Sequence, residues 1–184
     1  MTTRGEQSNF SGQGESAGTV YGLRNWRVTD TGVLTGVMYS QSQWKPGEND
    51  ARCFRSRRVP IQGTTAFHTV AWPTDGWDLD HDMEGCTHGF YAYWDGSRDY
   101  HEKGDVTGII RGTGTTRIGT KGFRTTTAEI VAIKFSGTVP DDVRALVLAN
   151  YPDAAVFKTV ASMLTEFPLT AEADEPDEPI EEAS

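Results

Sequence analysis

The sequence predicts an α+β fold in which a mostly antiparallel β-sheet, or a partly open barrel, is followed by two C-terminal helices and flanked by disordered termini. Three observations support this prediction. Short runs of β-branched and aromatic residues alternate with turn signals from Thr19 to Thr138, the apolar spacing then becomes helical, and both ends of the chain lack residues that build a core.

The strands are predicted from these runs and from the turns between them. Thr19–Val28 and Val33–Ser40 flank a Thr-Asp-Thr-Gly turn, a pattern typical of a β-hairpin. Apolar groups alternate onto both faces of Glu129–Phe135, with Val131, Ile133 and Phe135 on one face, which predicts a central strand. Further strands are expected at Ala66–Ala71, Gly89–Trp94, Val106–Arg111 and Thr115–Ile118.

Two helices are predicted near the C-terminal end. Pro140 and the two acids after it are typical of a helix start, and helical spacing of apolar residues continues to Asn150. A second helix is expected at Ala155–Phe167, where Pro168 ends it.

One domain is expected between two polar ends. Residues 1–18 and 169–184 are predicted to be disordered, and residues 19–168 to form the domain. The net charge of −9 comes mostly from the acidic tail, because seven acids and no base lie from Thr170 to Ser184. Without those seven, 19 acids remain against 17 bases. The near-neutral body neither requires nor excludes a nucleic-acid partner.

The sequence also predicts where the protein works. No apolar run approaches the roughly 18 residues that a membrane helix needs, and the segment after Met1 has no apolar stretch typical of a secretory signal. We therefore expect a cytoplasmic protein that does not bind a membrane. Its two cysteines are expected to stay reduced there.

Four potential zinc ligands lie in and before one polar loop. His81, Cys86 and His88 fall within eight residues, and Cys53 supplies a fourth ligand from a distant segment. Two thiolates and two imidazoles suit a closed tetrahedral zinc site, which would be structural. The spacing differs from that of common zinc fingers, so two other interpretations stay open. In the first, the cysteines are inert thiols beside ordinary loop histidines. In the second, Cys86 is a catalytic thiol paired with His88.

Basic residues follow one another along consecutive predicted strands and indicate a surface for an anion or an acidic partner. They are Arg111, Arg117, Lys121 and Arg124. A second group has the same character and comprises Arg52, Arg55, Arg57 and Arg58. A plainer interpretation is a solvated face, and attraction of the chain's own acidic tail is a third.

Several stretches resemble a set found in uncharacterised actinobacterial and actinophage proteins. They are Gly22–Val28, Ala51–Cys53, Cys86–Tyr93, Val106–Gly112 and Gly119–Arg124. In those proteins the loop before the aromatic strand tends to read Cys-x-Cys-Gly, whereas His88 replaces the second cysteine here and still suits zinc. The resemblance implies a phage or host setting and implies no activity.

We therefore expect a non-enzymatic binding or regulatory protein of an actinobacterium or its phage. The structural zinc site would stabilise its fold, and it would contact a macromolecular partner, most naturally a host protein. One alternative is an enzyme or binder for a nucleotide or other phosphorylated ligand, which Arg111, Arg117, Lys121 and Arg124 would hold while His101 or Glu102 acts as base. Another is a nucleic-acid-binding protein that stacks bases on exposed tryptophans. The candidates for stacking are Trp44, Trp72, Trp77 and Trp94.

Overall fold

A computed structural model defines residues 19–37, 42–51, 89–94 and 104–169 together with their side chains. It defines the backbone alone for residues 15–16, 54–60 and 67–73.

Ten strands in these ranges form one open, mostly antiparallel sheet, which confirms the predicted fold class and excludes a closed barrel. The strands of this sheet are β1 (Glu15–Ser16), β2 (Val20–Val28), β3 (Leu34–Gly36), β4 (Asn49–Asp50), β7 (Phe90–Tyr93), β8 (Val106–Gly112), β9 (Thr116–Ile118), β10 (Gly122–Thr125), β11 (Thr127–Phe135) and β12 (Ala155–Val156). A separate hairpin consists of β5 (Phe54–Pro60) and β6 (Phe67–Pro73). In the large sheet the order is β1-β9-β10-β7-β2-β8-β11-β12, and only β12 is parallel to its neighbour.

Strand β2 is the point at which the sheet divides. One edge of β2 pairs with β8 from Val20 to Trp26. Its other edge pairs with β7 only at Leu23, opposite Tyr93, and then with β3 from Trp26 to Val28 in the predicted hairpin. Because one strand edge bonds one neighbour at a time, β7 and β3 separate along β2 and leave a fork beside Arg24.

A β-bulge changes the predicted alternation of β11. The register with β8 shifts between Ile130 and Ala132. A bulge adds one residue to one strand, so the side chains beyond it change face. Ile130 and Ile133 consequently join one apolar cluster, while Val131 and Ala132 join the cluster on the opposite face. The predicted face containing both Val131 and Ile133 is therefore wrong.

The two C-terminal helices are α1 (Asp141–Asn150) and α2 (Val160–Glu166). The first agrees with the prediction. The second begins later than predicted because Ala155 and Val156 pair with β11 as strand β12. Thr159 then caps α2, since its hydroxyl accepts a hydrogen bond from the backbone N–H of Ser162. Neither helix is long and apolar enough to cross a bilayer.

Two apolar clusters lie on opposite faces of the large sheet. The larger includes Trp26 and Phe123 of the sheet together with Trp44 and Val147, and the face that carries it is called the inner face below. The smaller consists of Leu23, Ile109, Ala132 and Met163, the last of these from α2. The face that carries this second cluster is called the α2 face.

Strand β1 lies within the segment 1–18 that composition predicts to be disordered. Glu15 and Ser16 pair with Arg117 and Thr116 of β9. The unpaired backbone groups on the free edge of β9 provide the partners for this short strand.

Candidate functional site

The four predicted zinc ligands, Cys53, His81, Cys86 and His88, lie outside the residues that the structure describes. So do His101 and Glu102, the predicted bases of the enzyme alternative. Among the described residues, no group of three or more His, Cys, Asp and Glu side chains is placed to hold a metal ion.

Described residues beside two of the ligand segments meet at the end of β10. The backbone N–H of Ala51, two residues before Cys53, donates to the carbonyl of Thr126 at 2.7 Å. Phe90, the first residue of β7, pairs with Thr125. The chain that leads to the first cysteine and the chain that follows the second are therefore anchored at adjacent residues.

The predicted anion-binding residues do not form one exposed cluster. Arg117 and Arg124 pair across β9 and β10, and they are only 9% and 6% exposed. Arg111, whose side chain is 41% exposed, forms an ion pair with Glu129. Lys121 is exposed in the turn between β9 and β10. Of the four, only Arg111 and Lys121 present substantial charge to solvent.

Strand register nevertheless places three of these arginines on the α2 face. Residues that pair directly across strands share a face, and Arg117, Arg124 and Tyr91 form such a row. Alternation along the strands puts further bases on the same face. In β2, β4 and β7–β11 the α2 face carries five bases and two acids, namely Arg27, Arg111, Arg117, Arg124 and Lys134 against Asp50 and Glu129.

Half-exposed aromatic rings lie on the α2 face as well. The ring centroids of Tyr21 and Phe167 are 5.8 Å apart, and those of Phe157 and Phe167 are 6.2 Å apart. All three residues pack against the smaller cluster while remaining only partly buried. Arg111 pairs with Tyr21 across β8 and β2, so basic and aromatic side chains are neighbours. Aromatic residues and arginine are the side chains most enriched at protein interfaces.

Arg24 is the only charged residue that the described strands β2 and β7–β11 carry on the inner face. Its Nη1 donates a hydrogen bond to the carbonyl oxygen of Tyr91 at 2.6 Å. Its guanidinium carbon lies 5.1 Å from the ring centre of Trp44 and 6.0 Å from that of Phe90. Burial lowers the pKa of Arg24 to about 10, and nearby Tyr93 opposes that shift.

The fork of the sheet explains how the Tyr91 carbonyl becomes available to Arg24. Beyond Leu23 and Tyr93 the backbones of β2 and β7 no longer pair, so a side chain can take the place of a ladder hydrogen bond. Sequence reasoning missed this residue. The available signal was the alternation Val20, Gly22, Arg24, Trp26, in which one inward position carries a charge.

The tryptophans offer less stacking surface than predicted. Trp44 is 2% exposed because it packs between Trp26 and Phe90, with ring-centroid distances of 5.5 and 4.5 Å. The expectation that it is exposed is therefore wrong. The indole N–H of Trp94 donates to the carbonyl of Gly119 at 3.0 Å, and this ring is partly buried. The side chain of Trp72 and the whole of Trp77 lie outside the described residues.

Searches against protein families, curated proteins and solved structures find no match for this chain. The resemblance to actinobacterial and actinophage proteins stays a prediction.

Proposed function

We propose that this chain is a non-enzymatic binding or regulatory protein of an actinobacterium or its phage, and that it contacts an acidic host protein through its α2 face. One observation supports this proposal above the others: the solvent-reaching charges that these strands carry on that face are three bases, Arg27, Arg111 and Lys134, against two acids, Asp50 and Glu129, beside half-exposed aromatic rings. Charges at the edge of an interface steer and orient a partner, while aromatic anchors supply most of the affinity.

A protein partner fits these residues better than a nucleic acid does. Binding to a phosphate backbone relies on exposed cations, whereas Arg117 and Arg124 are nearly buried. Base stacking relies on exposed rings, and Trp44 is buried. On immobilised heparin we expect retention that a moderate salt concentration abolishes. Strong retention that falls steeply as the salt concentration rises, as it does for a protein that contacts many phosphates, would favour a nucleic-acid partner instead.

The test of the partner surface is charge reversal with a matched control. Arg27→Glu and Arg111→Glu change the α2 face, and Lys45→Glu makes the same change at an exposed position in segment 42–51. The partner is first cross-linked to the wild-type protein in host lysate and identified, and its affinity is then measured by calorimetry. Each α2-face variant is expected to weaken binding about tenfold, while Lys45→Glu leaves it unchanged. Equal losses in all three variants, or none, would contradict the proposal.

The proposal includes a structural zinc site formed by Cys53, His81, Cys86 and His88. Support comes from the chemistry of the donors and from the described residues beside two of these segments, since Ala51 and Phe90 are both anchored at the end of β10. A closed site of two thiolates and two imidazoles would stabilise the loops next to the sheet and would leave no open position for chemistry.

A further inference from the structure

We infer that Arg24 is the anchor of a binding site for a carboxylate at the fork between β7 and β3. This site lies on the inner face and is independent of the partner surface proposed for the α2 face. The ligand is a group with a single negative charge attached to an apolar carbon, as in a small organic acid or the side chain of an acidic residue.

The guanidinium of Arg24 has fewer hydrogen-bond and ionic partners among the described residues than it can bind. Within the described residues, Arg24 bonds the Tyr91 carbonyl and stacks on the rings of Trp44 and Phe90, and no carboxylate there forms an ion pair with it. Its Nε is buried and makes no hydrogen bond to any of the described residues. A cation taken out of water without a counter-ion costs free energy, which accounts for the low pKa of Arg24. An incoming anion recovers that free energy.

Buried hydrogen-bond donors lie beside Arg24 without an acceptor among the described residues. The indole N–H groups of Trp26 and Trp44 are buried, and neither makes a hydrogen bond to a residue that the structure describes. The two rings are 5.5 Å apart, and Trp44 lies under the guanidinium. Buried polar groups in folded proteins are nearly always bonded. Three unsatisfied N–H groups on contacting side chains favour a ligand that accepts hydrogen bonds and donates none.

Charge balance and shape favour a carboxylate over a phosphate as the ligand. Since Arg24 is the only charge of the described strands on this face, one negative charge neutralises it, whereas a phosphate dianion would leave excess charge among apolar side chains. The planar guanidinium also matches a planar carboxylate in a two-bond contact. The rings of Trp44 and Phe90, with centroids 4.5 Å apart and planes inclined at 50°, provide apolar walls for the carbon chain of the ligand.

Titration of the full-length wild-type protein tests the inference directly. Propionate, phosphate and chloride are added at equal ionic strength, while ¹⁵N NMR follows the arginine Nε–H resonances and fluorescence follows the tryptophans. With propionate, one Nε–H resonance is expected to shift and saturate together with the fluorescence. At a propionate concentration ten times its Kd, the Tm should rise by about 3 °C. Identical responses to all three anions would overturn the inference and leave Arg24 a purely structural residue.

Two variants assign the response to Arg24. Arg24→Lys keeps the positive charge and removes the planar fork. Arg144→Lys makes the same change at an arginine of α1 that also bonds a backbone carbonyl, that of Ser136, and lies over an aromatic ring, that of Phe135. The propionate affinity is expected to fall about tenfold in Arg24→Lys and to stay unchanged in Arg144→Lys. A folded Arg24→Lys protein with wild-type propionate affinity would overturn the inference. If Arg24→Lys does not fold, magnetisation transfer in the wild-type protein between the saturating Nε–H and the ring protons of Trp44 and Phe90 assigns the resonance to Arg24. Absence of that transfer would overturn the inference.

A last comparison separates the two sources of carboxylate. Propionate represents a free organic acid, and a glutamate peptide with both ends blocked represents an acidic side chain of another protein. Tighter binding of propionate identifies a small-molecule site, and tighter binding of the peptide identifies a protein contact. Both results support the carboxylate site, whereas binding of neither contradicts it.

Discussion

The hydroxyl of Tyr151 donates a hydrogen bond to the carbonyl oxygen of Trp44 at 2.6 Å. The same hydroxyl accepts one from the backbone N–H of Leu34 at 3.0 Å. Tyr151 also caps the C-terminal end of α1, so one side chain joins that helix to β3 and to the segment that places Trp44 beneath Arg24. The inner face of the sheet and the Arg24 fork therefore depend on this contact.

Replacing Tyr151 with phenylalanine is expected to lower the free energy of unfolding by about 1–3 kcal/mol. The change leaves the Leu34 N–H and the Trp44 carbonyl buried without a partner, which costs the desolvation of both groups. Urea unfolding followed by circular dichroism measures the loss. The control is Tyr21→Phe at a partly exposed tyrosine, for which we expect a loss below about 0.5 kcal/mol. Equal losses in the two variants would contradict the role given to Tyr151.

The contribution of Tyr151 to the stability of the protein is expected to decline as the pH rises above 10. Burial raises the pKa of Tyr151 above its ordinary value of 10.0. The unfolded chain then loses this proton first, so the folded state binds more protons and loses stability with increasing pH. Arg24, whose pKa is about 10 in the folded state, acts in the opposite direction in wild type and variant alike. Urea unfolding at pH 9 to 11 should therefore show a less negative change of stability with pH for Tyr151→Phe than for wild type, and parallel slopes would refute the prediction.

Gly108 is expected to tolerate no side chain. A methyl group there would overlap the carbonyl oxygen of Ala132 and lie 2.8 Å from Cζ3 of Trp26. Gly108→Ala should therefore lower stability by about 3 kcal/mol, since overpacking displaces both the strand β11 and the buried indole. Gly137→Ala is the control, because nothing lies within 4 Å of its added methyl group. Thermal unfolding of both variants measures the difference, and a stable Gly108→Ala protein would show that the strands separate more easily than these distances imply.

Metal analysis tests the zinc site directly. Elemental mass spectrometry of tag-free protein is expected to find about one zinc per chain. Cys53→Ser and Cys86→Ser should each remove the metal and lower the Tm, because zinc binding contributes to folding. His101→Ala, outside the proposed ligand set, should retain the zinc. Folded wild-type protein without metal would remove the site and leave Cys53 and Cys86 as buried or reactive thiols.

Local sequence signals predicted most of the individual elements. The strand predicted at Thr19–Val28, the turn after it and the helix after Pro140 formed within a residue of their predicted starts, because turn residues and helix starts act over a few neighbouring positions. The returning strand predicted at Val33–Ser40 is defined at Leu34–Gly36, and residues 38–40 lie outside the described residues. The helix predicted from Ala155 failed at its beginning. There a pairing with β11 captured two residues that helical spacing alone assigned to the helix.

The exposure of the basic residues could not be predicted from the sequence. The sequence identified Arg111, Arg117 and Arg124 as a group, and alternation with strand register places them on one face. Their exposure depends on what packs above each strand, so Arg117 and Arg124 are nearly buried while Arg111 reaches solvent. Short-range patterns carry no information about such packing.

The sequence by itself determined the fold class, the order of most strands along the chain and the identity of the possible ligands. Each follows from interactions within a few residues or from the chemistry of single side chains. Only the tertiary structure decided the fork of the sheet, the bulge that turns β11 and the stacking of Arg24 on Trp44 and Phe90. These features depend on which strands pair and on what packs against each face, and both join residues that are distant in the chain.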